Sequence, residues 1–377
     1  MRMLMDKMKS AMLVLADGSV YSGRGYGPVG TYEAEAVFAT GMVGYPESMT
    51  DPSYKKQFLT FTYPLIGNYG VNEFIDGGFG IPRFFESDSI KTAGIIAHEI
   101  CDRPNHWTST KTLENWLDDE GIPAISGIDT RSLTKRLRER GTMSSCLCIH
   151  EGDCDKDRLL NKARSMKDPT DENLVKEAST EFTRIYNEDA KDAVVLLDCG
   201  AKYGIIRSLV NRGLKVVQAR YDTPYDELVE YSPKGLLISN GPGNPDKVDT
   251  IGDTINDAIS NELPVFGICM GNQLLALARG ASTYKLPYGH RSQNQPCIEL
   301  GTKRCYITSQ NHGYVVDPDS LEDTDMEMWF VNANDDSCEG LRSESIGAFS
   351  VQFHPEASPG PQDTNYLFDN FIKMMGI

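Results

Sequence analysis

From residue 193 onward, short aliphatic runs alternate with helix-forming stretches, and few folds can accommodate that rhythm. AVVLLDCG reads as a buried strand, YGIIRSLVNRG as a helix closed by Gly213, and LKVVQARYD and GLLISNGPG as two further strands. TINDAISNELP then reads as a helix, VFGIC as a strand and NQLLALARG as a helix. Strands and helices alternating at this spacing form a parallel sheet joined by right-handed crossovers. The chain ends in β pieces, CYITSQ, MEMWFVNAN and GAFSVQFHPE. Residues 193–377 are therefore expected to form an α/β domain with a mostly parallel sheet.

The first half has a different texture. AMLVLA and SVYSGRG are joined by Asp17-Gly18, a dipeptide that supplies positive φ in a tight hairpin turn. Further β-like pieces follow (AVFAT, QFLTFTY, AGIIAHEI), then helix-like TLENWLDDEGIP and RSLTKRLRERG. Residues 1–150 are expected to form a mixed, β-rich domain. Between Glu151 and Asp192, 20 of 42 residues are Asp, Glu, Lys or Arg, which predicts a solvated, partly helical connector over 151–192.

Bulk properties exclude several roles. The 377 residues suffice for two domains that each bury a core without disulfides or metals. A net charge of -17 repels phosphate backbones and anionic membranes, so no nucleic acid and no membrane is expected as partner. Nine scattered cysteines with no C-x-x-C pair indicate neither a disulfide framework nor a zinc site, and no metal is expected; a cytoplasmic location fits best. The opening MRMLMDKMKSAML lacks an apolar core, so neither signal peptide nor anchor is expected, with Met5 or Met8 as alternative starts. Gly25-Tyr-Gly27-Pro-Val-Gly30 matches a dinucleotide fingerprint in letters only, because it follows a hairpin strand and contains Pro28. No G-x-x-x-x-G-K-[ST] loop for ATP occurs.

The chemistry centres on Cys269, in Gly267-Ile-Cys-Met-Gly271 between a strand and a helix. A nucleophile on a sharp strand-to-helix turn needs small residues two positions before and after it, and the following helix directs its N-terminal dipole at the sulfur. Taken alone, the pattern suits a buried core cysteine beside packing glycines equally well. A base is available in Phe353-His354-Pro355-Glu356, where residues i and i+2 of an extended strand share a face about 6.6 Å apart, letting Glu356 orient His354. Cys, His and carboxylate together suit thioester chemistry. Asn240-Gly241-Pro242-Gly243-Asn244-Pro245 follows the strand GLLIS, and its glycine N–H groups, with that of Met270, are candidate oxyanion donors; the same letters also fit a bare turn. His98, His106 and His150 show no ligand spacing, and His290 and His312 are read as structural.

In the order GPGNP, GICMGNQ, QFHPE, these motifs resemble those of the class I (triad) glutamine amidotransferases. Gln310-Asn311-His312-Gly313-Tyr314 and HPEASPGP are similar to the small, glutaminase subunit of carbamoyl phosphate synthetase. LVLADGSVYSGRGYG, GMVGYPESMTDPSY, TYPLIGNYG and GIDTRSLTKRLRERG resemble that subunit's first domain. The resemblance implies hydrolysis of L-glutamine to glutamate and ammonia, with ammonia passed to a large subunit that uses ATP and bicarbonate to build carbamoyl phosphate. It assigns Cys269 as nucleophile, His354 as base and acid, and Glu356 as orienter. Gly241 and Met270 match oxyanion positions; Ser53, Gly243, Gln273, Asn311, Gly313 and Tyr314 match glutamine contacts. No cofactor is expected in this chain, with ATP and magnesium on the partner. Asn272 stands where many members have histidine, and Ser292-Gln293-Asn294-Gln295 where a glycine pair, asparagine and histidine are common.

Three rivals remain at this stage: an amidotransferase serving another synthetase, a non-catalytic scaffold, and a free-standing cysteine hydrolase. The first domain argues against the first of these, and the intact Cys269, His354 and Glu356 against the second.

Overall fold

A computed structural model describes residues 9–377; the alternative start methionines lie outside the described residues. By contacts the chain divides into two compact units, one comprising residues up to 75 and 88–169, the other 76–87 and 170–377. The second therefore takes a twelve-residue segment from within the first half. No helix among the described residues is long and apolar enough to cross a membrane.

In the first unit the strands are β1 (Ser10–Leu15), β2 (Val20–Tyr26), β3 (Gly30–Ala39), β4 (Gln57–Phe61), a short β5 (Leu65–Ile66), β6 (Gly94–Ile96), β7 (Glu99–Ile100), β8 (Ala124–Ser126) and β9 (Met143–His150). Seven of them close into a barrel in the order β1-β2-β8-β6-β4-β3-β9, while β5 and β7 pair separately. The β1–β2 hairpin turns at Gly18, which adopts φ +93°, while the Asp17 carboxylate accepts the Ser19 amide at 2.9 Å. Leu13, Leu15, Ala36, Phe58, Ile96, Ile125 and Leu147 form one fully buried cluster.

The charged stretch 151–192 is shared between the units. The helix Lys156–Ser165 buries Leu159 and Ala163 against Val14, Cys146 and Cys148 of the first unit. The helix Leu174–Ala178 buries Val175 in the core of the second. An apolar stripe in a mostly charged segment is enough to dock each short helix.

The second unit holds β10 (Arg184–Tyr186), β11 (Ala193–Asp198), β12 (Lys215–Arg220), β13 (Gly235–Ile238), β14 (Val265–Ile268), β15 (Thr283–Glu299), β16 (Cys305–Val316), β17 (Glu327–Asn332), β18 (Cys338–Ser343) and β19 (Ala348–Val351). They form one sheet in the order β10-β12-β11-β13-β14-β19-β18-β17-β15-β16. Parallel pairing runs from β12 through β11, β13 and β14 to β19. The other pairs are antiparallel, so "mostly parallel" describes the central strands and not the whole sheet. Every residue of β11, β13, β14 and β19 is buried, because helices cover both faces. Along β11, Val194 and Leu196 face a cluster with Ile205, Ile206 and Phe371, while Val195 and Leu197 face one with Ile255 and Leu274. Because these central strands run parallel, their carboxyl ends share one edge of the sheet, and that edge carries the loops described next.

Candidate active site

Four segments leave the carboxyl ends of adjacent parallel strands: 199–202 after β11, 239–245 after β13, 269–271 after β14 and 352–357 after β19. In an open α/β sheet this edge is where ligands bind.

Cys269 follows β14 directly and caps the helix Met270–Ala278, with φ 55° and ψ -100°. A residue with a side chain in that region carries strain on the order of 1–3 kcal/mol. The glycines that bracket it are sterically required. A Cβ on Gly267 would lie 2.5 Å from the Gly271 carbonyl oxygen, and one on Gly271 would lie 2.2 Å from the Ile238 carbonyl oxygen. The bare core-cysteine reading explains neither the positive φ nor the two backbone approaches. Cys269 is 2% exposed, and its sulfur lies 3.7 Å from the Asn311 carbonyl oxygen.

His354 and Glu356 come together, although not as an extended strand would place them. β19 ends at Val351, and the chain then enters a turn in which the Ala357 amide donates to the His354 carbonyl at 3.1 Å. Pro355 and the left-handed Ala357 (φ 62°) turn the backbone so that both side chains point the same way. The imidazole Nδ1 lies 2.7 Å from Glu356 Oε1. Burial opposes a charge on this ring, as does nearby Lys202, but the Glu356 carboxylate and Cys269 together outweigh both, and the His354 pKa is raised to about 10. Cys269 is near enough to act on the ring by charge and hydrogen bonding.

Sequence reasoning missed Lys202. Its ammonium lies 2.9 Å from Glu356 Oε1, and the two side chains are 2% and 0% exposed. Burial opposes the Glu356 charge, yet Lys202 first and His354 second hold its carboxyl well below the usual carboxylate range. Behind Lys202 lies fully buried Glu86, from the segment 76–87. Glu86 Oε2 accepts the Gly204 amide at 2.9 Å, and its Oε1 pairs with Arg207. Burial raises the Glu86 pKa, opposed by Arg207 and then Lys202. The one available signal was a lysine shortly after the apolar run AVVLL, in AVVLLDCGAK.

The loop over Gly241 knits onto the β11 loop. The Lys202 amide donates to Asn240 Oδ1 at 3.0 Å, and the Cys199 amide to Ser239 Oγ at 2.9 Å. A Cβ on Gly241 would come within 2.3 Å of the Cys199 carbonyl oxygen, and Gly243 has φ 91°, so both positions call for glycine. β13 and β14 pair with Ile238 opposite Gly267, which aligns this loop beside the Cys269 turn and Met270.

Gln273 donates to the Tyr314 carbonyl at 2.7 Å and to Gln352 Oε1 at 3.1 Å. Asn311, Gly313 and Tyr314 lie on β16, with Asn311 opposite Arg291 of β15. Asn272 is fully buried: its amide donates to Gln352 Oε1 at 3.3 Å and its oxygen accepts Ser350 Oγ at 2.8 Å. A short amide that satisfies both neighbours explains why this position needs no imidazole. Ser292-Gln293 falls where β15 slips register against β16. Ser53 belongs to the first unit, in the turn Pro52–Tyr54, where its amide donates to Asp51 Oδ1 at 2.9 Å.

Comparison with known proteins gives this geometry a family. The family model "Glutamine amidotransferase class-I" matches residues 195–374, and "Carbamoyl-phosphate synthase small chain, CPSase domain" matches 13–147. The carbamoyl phosphate synthase small chain of Methanocaldococcus jannaschii is 45% identical over 367 residues, covering 97% of this chain and 98% of that one. The arginine-specific small chain of Neurospora crassa is 45% identical over 366 residues, 96% of this chain and 79% of its own. Multifunctional protein CAD of Squalus acanthias is 46% identical over 365 residues; the match takes in 96% of this chain but spans only 16% of that relative's length. By these matches the chain belongs to the carbamoyl phosphate synthase small chain family and is a glutamine amidotransferase of class I.

Proposed function

We propose that the chain hydrolyses glutamine through a glutamyl thioester on Cys269 and delivers the ammonia to a large synthetase subunit, which holds ATP and magnesium and makes carbamoyl phosphate. The observation that carries the chemistry is the buried chain Lys202–Glu356–His354 ending beside Cys269. A ring held protonated by a carboxylate is both the counter-ion of a thiolate and the acid that a departing amine needs.

The Cys269 sulfur adds to the side-chain amide carbon, and the resulting oxyanion takes N–H donors from Gly241 and Met270, each worth about 3 kcal/mol in sites of this kind. As the C–N bond breaks, His354 transfers its proton to nitrogen, which leaves as ammonia. Water then attacks the thioester carbon while His354 accepts its proton. The C–S bond breaks, glutamate departs, and the thiolate–imidazolium pair is restored. Gly243, Gln273, Asn311, Gly313 and Tyr314 are assigned to holding glutamine. Ammonia must remain neutral to act as a nucleophile, so a closed route to the partner is expected. The nine cysteines are all free, which suits a reducing cytoplasm.

The test is glutamate release from glutamine by the purified chain, wild type and Cys269→Ala, with and without large subunit, ATP and bicarbonate. Thiol-dependent release, stimulated by the large subunit and matched by carbamoyl phosphate, is expected. Release that ignores the large subunit indicates a different synthetase or a free hydrolase, and no thiol-dependent release under either condition indicates a scaffold.

A further inference from the structure

Some 20 residues after the Cys269 turn, the β15–β16 hairpin carries a polar cluster that the glutaminase mechanism does not use. His290 and His312 are directly opposed partners across β15 and β16, so their side chains share a face. Their rings meet edge to face, with centroids 5.0 Å apart. Glu339 of β18 completes the group, and one ligand atom from each of the three lies within 4.8 Å of the others. All three are buried, at 6%, 5% and 0% exposure.

The hydrogen bonds around the cluster turn the inner atoms toward one point. His290 Nε2 is held by Asp335 Oδ2 at 2.8 Å, and His312 Nδ1 by the Tyr314 carbonyl at 3.0 Å. Glu339 receives Asn332 Nδ2 on Oε1 and Gln310 Nε2 on Oε2, both at 2.9 Å. Metal-binding histidines are oriented in this way, with the outer nitrogen on a carboxylate or carbonyl.

The His312 side of the cluster is short of protons. A carbonyl only accepts, so Nδ1 of His312 carries a ring proton and, in the neutral ring, Nε2 presents a lone pair. That lone pair faces Gln310 Oε1, another acceptor, at 3.0 Å. Turning the Gln310 amide over only moves the conflict, because its oxygen would then face the Glu339 carboxylate. His290 Nδ1 makes no hydrogen bond, and Glu339 Oε1 lies 3.5 Å away. His312 Nε2 and Gln310 Oε1 thus oppose each other as acceptors beside the Glu339 carboxylate, an arrangement that a bound cation relieves.

The geometry points to a divalent transition-metal site at His290 Nδ1, His312 Nε2 and a Glu339 oxygen, with Gln310 Oε1 as the nearest fourth donor. Two imidazoles and one carboxylate select a borderline ion of the zinc class over magnesium or calcium, which prefer all-oxygen sets. Tetrahedral donors at about 2.0–2.2 Å from zinc stand roughly 3.4 Å apart, so side-chain rotations on the order of 1 Å close the site. A site this buried is structural: it ties the hairpin bearing Asn311, Gly313 and Tyr314 to β18. Cysteine spacing carried no sign of it, since its ligands come from three strands and no local motif.

The full-length chain, stripped with a chelator and then titrated with zinc against a chromophoric competitor, is expected to take up one tight equivalent and to melt at a higher temperature. Cobalt is expected to give the visible d–d bands of a tetrahedral nitrogen and oxygen site. Glu339→Gln should abolish this equivalent. Asp335→Asn, which alters only a partly exposed outer partner, should weaken it about 10–100-fold. Cys269→Ala should leave it intact. Failure of the wild type to bind a tight equivalent shows that the cluster is an ion pair only, and overturns the assignment. Tight binding that is undiminished in Asp335→Asn, or that is lost in Cys269→Ala, places the ion elsewhere and overturns it as well. If Glu339→Gln does not fold, Asp335→Asn and the cobalt spectrum decide.

Discussion

Replacing Gly271 with alanine adds one methyl group at the tightest point of the Cys269 turn. The new Cβ would lie 2.2 Å from the Ile238 carbonyl oxygen and 2.8 Å from its carbonyl carbon. Carbon–oxygen contacts normally stay beyond about 3.3 Å, so β13 and the first turn of the helix Met270–Ala278 must separate by roughly 1 Å. Overpacking of this kind costs about 1–3 kcal/mol, against which alanine returns at most ~1 kcal/mol of helix propensity. A net loss of about 1–2 kcal/mol lowers the melting temperature by roughly 2–8 °C for a unit of this size. Activity should suffer more than stability, because the same displacement moves Cys269 relative to the loop over Gly241, and 1 Å of misplacement costs on the order of 10²-fold in rate. Gly252→Ala is the matched control: it lies in the helix Ile251–Ser260 with open space around its Cβ position, and should be neutral or slightly stabilising. Melting curves and steady-state glutamate release on both variants decide. Wild-type turnover in Gly271→Ala would refute the claim that this glycine holds the turn in its working shape.

Lys202→Met removes the largest influence holding the Glu356 carboxyl ionised, so the acid limb of kcat/KM for glutamate release should move to higher pH and kcat should fall; an unshifted limb would separate Lys202 from the triad. The His354–Glu356 pair also makes a signed prediction for stability. His354 is raised from 6.5 to about 10, so its contribution is complete below pH 6.5 and is lost as pH climbs toward 10. Glu356 is lowered from 4.5, so its contribution is complete above pH 4.5 and is lost as pH falls further. Melting temperature should therefore peak between these limits, and Glu356→Gln should flatten both slopes relative to wild type. Arg207→Ala leaves Glu86 without its guanidinium and frees the Pro82 and Phe85 carbonyls that the arginine holds, costing about 3–5 kcal/mol and opening residues 76–87 to limited proteolysis.

What could be read from the residues, and what could not, follows the range of the forces involved. The turn at Cys269 was visible because its requirement is local: two glycines within two residues of the nucleophile. The buried strands were visible because a strand covered on both faces must be apolar along its whole length. His354 and Glu356 were paired by the right letters for an inexact reason, since the chain turns at Pro355 where an extended strand was expected. Lys202 left no trace beyond its place after an apolar run, and Glu86 left none. Each is stabilised by a charge far away in sequence, and neither periodicity nor composition registers a partner 121 or 154 positions along the chain. The antiparallel half of the large sheet escaped for a related reason: pieces such as CYITSQ announce strands but not their direction or neighbours.

Residues 76–87 bear on how the protein can be taken apart. Ile81 is fully buried in a cluster otherwise drawn from residues 186–375, and Glu86 anchors the helix that begins at Tyr203. The polypeptide thus passes from one unit to the other, returns, and passes again, like a thread stitched through two pieces of cloth. A single cut near residue 170 yields a C-terminal fragment that lacks one of its own core residues and the counter-charge of Arg207. Ribosomal synthesis inherits the same constraint: the early portion emerges long before the site it helps to complete, and must wait in an exposed state until the last strands arrive.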